Sequence, residues 1–265
     1  PVQKIGNQIS ETNIHHQDLR DDYIEYKVNQ LKEKLKKKKG KGGDTYKVEE
    51  QIRKIKKNPT KKIPESELKK VALNRSIEVL KLVRMPYAED VINNYPHELS
   101  GGMRQRAMIA MALSCKPELF IADEATTALD VTIQAQILTL MNDLKKEVGT
   151  SNIIITHDMG IVAETCDRAA VMYAGVVVEV APVGDLFEHK LHPYTQGLFA
   201  AIPKLRGQTG KLETIPGMVP NLINPPTGCR FHPRCKHAMS ICSKTRPEMI
   251  EERPNHFVAC YLYGK

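Results

Sequence analysis

The chain has 265 residues, of which 41% are apolar and 26% charged. That is enough apolar material for a packed core, which excludes wholesale disorder, a collagen-like chain and a small disulfide scaffold. No run approaches the roughly 18–20 continuous apolar residues of a membrane span, and Pro1 to Ser10 show neither the basic start nor the apolar stretch of a signal peptide. The net charge of +8 is local: residues 1–75 carry 20 Lys and Arg against 11 Asp and Glu, whereas residues 76–265 carry 19 against 20. A nucleic-acid-binding body would hold its basic surface on the fold itself. The excess therefore reads as one basic insertion, and no nucleic-acid partner is expected.

In chain order, Val2, Ile5 and Ile9 open a segment at near-helical spacing. From about 20 to 75 the chain is polar and Lys-rich. Tyr23, Tyr26, Val28, Leu31 and Leu35 predict a frayed helix, the run Lys36 to Lys39 with Gly40, Gly42 and Gly43 predicts a break, and a second helix is expected near Val48–Ile55. Leu68, Val71, Ala72, Ile77, Leu80 and Val83 predict an amphipathic helix over 64–84, with Pro64 at its start. After residue 99 helical and strand-like segments alternate, which predicts α/β structure with a mainly parallel sheet. Leu119 to Ala122 and Ile153 to Ile155 read as strands buried on both faces, separated by a helix carrying Ile133, Ile137, Leu140, Leu144 and Val148. Ala169 to Tyr173, Ala174-Gly175 and Val176 to Val178 read as a hairpin. Beyond about 203 Pro, Gly and Cys become frequent, and a loop-rich tail is expected.

Three places carry chemistry. Asp123 and Glu124 follow the first apolar strand, and acids at the carboxyl end of such a strand sit where open α/β sheets bind ligands. His157 and Asp158 end the next strand. Ser100 is placed to cap the helix that begins at Gly101-Gly102-Met103, a helix start open enough for phosphate. Asp130 is placed to cap the helix starting at Val131. Each feature alone also fits a plain turn.

Together these segments resemble the nucleotide-binding subunits of ABC transporters. Leu99 to Met103 is similar to the family signature, Leu119 to Glu124 to the Walker B strand, Thr127-Ala128-Leu129-Asp130 to the D-loop, and His157 to the switch histidine. Met103 stands where Gln is commonest, and Ala125 where Pro is usual. The resemblance implies a partial P-loop NTPase-like ABC domain, with a helical subdomain at 1–98, the ATPase core at 99–203 and a Cys-containing extension at 204–265. It implies ATP and Mg²⁺, with Asp123 in the Mg²⁺ shell, Glu124 as general base and His157 on the γ-phosphate. Ser100, Gly101 and Gly102 would meet the γ-phosphate of a partner's ATP; Leu99, Met103, Gln105 and Asp130 complete the expected nucleotide site. Positioning and charge stabilisation dominate phosphoryl transfer, which suits these groups.

A P-loop, G-x-x-x-x-G-K-[ST], is not among the 265 residues. With a first residue other than Met, this suggests a subunit lacking its first portion, inactive by itself. The Lys-rich insertion reads first as a solvated segment, with attraction to anionic lipid as the sharper alternative. His192-Pro193-Tyr194-Thr195 and the tail resemble the oligopeptide/dipeptide importer branch. That branch implies peptide transport, a second ABC ATPase, two transmembrane permease subunits, an extracytoplasmic solute-binding protein and a peripheral place on the cytoplasmic face of the membrane. Two other readings stand beside it: a degenerate half-subunit that serves as a binding module, and a non-transport ABC ATPase. Cys115 and Cys166 read as packed thiols. Cys229, Cys235, Cys242 and Cys260 are spaced unlike a zinc motif. A [4Fe–4S] cluster is the first expectation for them, ahead of zinc or four free thiols.

Overall fold

A computed structural model describes residues 3–39, 45–57, 63–127, 129–201 and 214–263. Val2, the glycine break at 40–43, Ala128 of the D-loop segment and the expected boundary near 203 lie outside these residues. The chain forms two compact units, Pro1–Ile155 and Thr156–Lys265.

The first unit opens with helices α1 (Ile5–His16), α2 (Arg20–Lys39), α3 (Tyr46–Lys57) and α4 (Glu65–Leu82), followed by the single turn α5 (Ala88–Val91). Ile5 and Ile9 of α1 pack with Val79, Leu80 and Val83 into the main core. The contact is close at Gly6, whose N–H donates to Ile92 O at 2.9 Å. A Cβ there would stand 2.3 Å from Ile92 Cγ1, so only glycine fits without displacement. Asn13, fully buried, donates to Ser76 Oγ at 3.2 Å and ties α1 to α4.

Helix α6 (Gly101–Ser114), strand β1 (Leu119–Asp123), helix α7 (Val131–Val148) and strand β2 (Ser151–Ile155) complete the unit. β1 and β2 pair in parallel, from Leu119 opposite Ser151 to Asp123 opposite Ile155. Phe120 and Ala122 turn into the core with Ile109, Leu113, Ile137 and Leu140. The other face is open: Ile121 is 59% exposed and Ile155 48%. The expected burial of both strands on both faces is thus corrected. The helices α6 and α7 supply core residues for one side only, and the alternating residues of a strand point the other way. Gly149 ends α7 in the left-handed region, φ 73°, which glycine adopts without a Cβ clash.

The second unit begins with α8 (Met159–Thr165), then β3 (Arg168–Tyr173), β4 (Val176–Pro182), α9 (Val183–Glu188), α10 (Pro193–Ala200), β5 (Ile250–Arg253) and β6 (His256–Val258). Its sheet has the order β3-β4-β6-β5 and every pairing is antiparallel. Parallel pairing is therefore confined, among the described residues, to β1 and β2. Ala174 and Gly175 both have positive φ, 49° and 78°, the two-residue turn that matches strand twist in a hairpin. The tail is not only loop: β6 pairs with β4 through Glu179 opposite Val258 and Val180 opposite Phe257.

Candidate functional site

Ser100 is the N-cap of α6, and its hydroxyl accepts from the Met103 N–H at 3.3 Å. Leu99, just before it, is 5% exposed and anchors the turn in the core. Gly101 and Gly102 face the next segment closely. A Cβ on Gly101 would lie 3.5 Å from Leu129 Cδ2, and one on Gly102 2.8 Å from Ile133 Cγ2. Met103 packs at the edge of the core, and Gln105 is half-buried one turn on. The signature segment is thus seated against the D-loop segment. Leu129 and Ile133, which hold the glycines, are a contact the sequence reading did not foresee. The signal was present as an apolar residue at 129 amid polar turn residues.

Asp130 caps α7, accepting from Ile133 N–H at 2.9 Å. Because β1 and β2 are parallel and in register, their carboxyl ends share one edge. Asp123 is exposed there. Glu124 follows with φ 46°, a left-handed backbone that costs a non-glycine residue about 1–3 kcal/mol and often marks a functional position. Its conformation is fastened on both sides: its N–H donates to Ile155 O at 2.9 Å, and its C=O accepts from Thr127 N–H at 3.0 Å. Glu124 Oε2 accepts from the Thr127 hydroxyl at 3.3 Å. An exposed carboxylate held by its own backbone can act on a ligand at the edge without refolding. His157 is exposed and belongs to the second unit, ahead of α8. Asp158 caps α8 through Gly160 N–H at 2.8 Å.

In the second unit the polar groups are buried. Glu179 and His256 are both fully inaccessible, 2.8 Å apart from Oε1 to Nε2. Glu179 also accepts from Leu191 N–H at 2.8 Å and from His192 N–H at 2.9 Å. One carboxylate therefore joins β4, β6 and the start of α10. His192 is the N-cap of α10, with Nδ1 accepting from Tyr194 N–H at 3.0 Å. Burial lowers its pKa to about 4, with Glu179 pulling the other way. An acid within the apolar run Val176 to Ala181 was the sequence signal for this network.

Cys229, Cys235, Cys242 and Cys260 line one cavity with His192 and Phe231. Burial pushes the Cys229 and Cys235 thiols up and Cys260 to about 11. Met239 N–H donates to Cys242 Sγ at 3.4 Å. Among the described residues no group of three or more His, Cys, Asp or Glu side chains is arranged to hold a metal ion. Cys229, Cys235, Cys242 and Cys260, the expected metal ligands, share that one cavity.

The profile of the ABC transporter family matches residues 6–127, and that of the oligopeptide/dipeptide transporter C-terminal region matches residues 178–242. A probable peptide ABC transporter ATP-binding protein of Sinorhizobium fredii is 56% identical over 72% of this chain and 57% of its own length. The oligopeptide transport ATP-binding protein AppD of Bacillus subtilis is 54% identical over 74% and 60%. The protein OppD of Salmonella typhimurium, of the same description, is 52% identical over 72% and 56%. The chain thus spans a little more than half the length of the curated relatives it matches. It belongs to the ABC transporter ATP-binding family and carries part of that family's nucleotide-binding domain. Within the family it carries the C-terminal region of the oligopeptide/dipeptide transporters.

Proposed function

We propose that the chain is part of the ATP-hydrolysing subunit of an importer for oligopeptides or dipeptides. The observation that carries this reading is the seating of the signature glycines against Leu129 and Ile133, in the same unit as the fastened Glu124. In this reading Ser100, Gly101 and Gly102 offer a capped helix start to the γ-phosphate of a partner's ATP, with Leu99, Met103 and Gln105 supporting it. Glu124 orients the attacking water and accepts its proton. His157 contacts the γ-phosphate, and Asp130 fixes the D-loop by capping α7. Mg²⁺, when bound, neutralises charge on the phosphates. Asp123, exposed at the end of β1, would hold the Mg²⁺, which asks for only one or two protein carboxylates beside the phosphates.

The partners of this reading are a second ABC ATPase, two permease subunits and a solute-binding protein. The place is the cytoplasmic face of the membrane; no described helix is long and apolar enough to cross it. The segments 1–98, 99–203 and 204–265 would serve permease docking, catalysis and the tail's own role. For that tail, a [4Fe–4S] cluster on the four thiols is supported by their convergence on one cavity, and iron and sulfide analysis of anaerobically purified protein tests it. No step of hydrolysis passes through it.

The test of the main reading is the complete importer in proteoliposomes. ATP hydrolysis should rise when peptide-loaded solute-binding protein is added, and indifference to peptide would contradict the assigned substrate. The binding-module reading draws on the lack of a P-loop motif in the 265 residues. Both readings expect no turnover from the isolated chain.

A further inference from the structure

We infer that the distal, lysine-covered half of the α2–α3 hairpin docks on an anionic lipid surface. The inference rests on the membrane-side placement proposed above. At its base the hairpin is anchored to the protein. Leu19 and Tyr23 pack with Val71 and Ala72, and the charges there are used internally: Lys27 pairs with Glu67, and Arg75 with Asp22 at 3.8 Å. The apolar side chains turn inward, with Val28 and Val48 both buried.

The distal half is different. Lys32, Lys34, Lys36, Lys37 and Lys39 are all exposed, and none has an ion-pair partner among the described residues. Only Glu33 opposes them on that stretch of α2. Lys32, Lys36 and Lys39 share one side of the helix and Lys34 and Lys37 the other, so eight residues carry exposed positive charge on both sides over about 12 Å of its length. On the return, Tyr46 is 69% exposed beside exposed Lys47, and a tyrosine suits the headgroup level of a bilayer. Farther back along α3, toward the anchored end, Arg53, Lys56 and Lys57 are exposed as well. No Arg lies between Arg20 and Arg53. Lysine is a hydrated point charge rather than a fork for bidentate phosphate recognition, which fits a diffuse anionic plane better than a nucleic-acid groove. Residues 76–265 carry 19 basic against 20 acidic side chains, so the attraction would orient the molecule by this one hairpin.

The test is flotation of the full 265-residue chain with vesicles. Phosphatidylcholine vesicles with about one-third phosphatidylglycerol should capture it, and a tenfold rise in salt should release it. Pure phosphatidylcholine should not capture it. Each lysine near such a surface contributes about five-fold to binding. The combined variant Lys32→Gln, Lys34→Gln, Lys36→Gln, Lys37→Gln and Lys39→Gln should therefore bind at least about 100-fold more weakly, with its helix content unchanged by circular dichroism. Gln is a good helix former, so folding is preserved. A control with Lys236→Gln and Lys244→Gln should bind as wild type. Equal capture by neutral vesicles, or full binding by the five-site variant, would overturn the inference. So would tighter binding of a DNA duplex than of vesicles through the same lysines. Vesicle binding is independent of the proteoliposome ATPase assay, so a failure here leaves the ATPase reading standing, and the reverse.

Discussion

The signature edge of the first unit and the core of the second handle polar groups in opposite ways. At Ser100 and Asp130 exposed side chains complete helix starts, and Glu124 is exposed at the end of its strand with its carboxylate accepting from Thr127. In the second unit Glu179 and His256 are removed from water and, among the described residues, answered by each other and by two backbone N–H groups. Exposed groups can meet a ligand but contribute little stability. A buried carboxylate is the reverse, since leaving its partners unanswered costs several kcal/mol. The first arrangement suits a site that changes partners, the second a fastening.

The largest effect that would break this contrast is at Glu179. Glu179→Ala should destabilise the second unit by about 3–5 kcal/mol, read as a lowered denaturation midpoint, whereas Asp123→Ala should change stability little. Equal effects would erase the distinction. Next comes pH. His192 has its pKa depressed to about 4 in the fold, from an ordinary 6.5, chiefly by burial. A depressed histidine contributes its stability in full above 6.5 and loses it as pH falls through about 4. Urea unfolding followed between those values should show a loss on the order of 3 kcal/mol, and His192→Gln should flatten the slope. Smallest are the caps: Ser100→Ala and Asp130→Ala should each cost about 1 kcal/mol, seen as modest shifts in melting temperature. A cap variant that collapses the fold would mean these side chains do more than satisfy the adjacent N–H groups.

The helix starts at Ser100 and Asp130 were legible because caps are local chemistry, written within three residues. The Ala174-Gly175 turn was legible for the same reason. The order of the site motifs could be read along the chain, but their seating could not, since the 2.8 Å approach of Ile133 to Gly102 depends on how α6 and α7 pack. Burial of β1 and β2 was misjudged because an apolar run records what a strand can cover, not which layers are present. The pairing of β6 with β4 was hidden for a different reason. It joins residues nearly eighty apart through only two opposed pairs, and no local periodicity reports that. Glu179 stood in view as an acid in an apolar strand, yet its partner His256 could be found only in three dimensions.

Glu124, fastened at the end of β1, is proposed as the general base of the complete subunit. That role is tested most directly by Glu124→Gln in the complete importer, with ATP binding and phosphate release measured on the same sample. Nucleotide binding should be retained while hydrolysis falls by about 100-fold or more. Hydrolysis at the wild-type rate in that variant would contradict it.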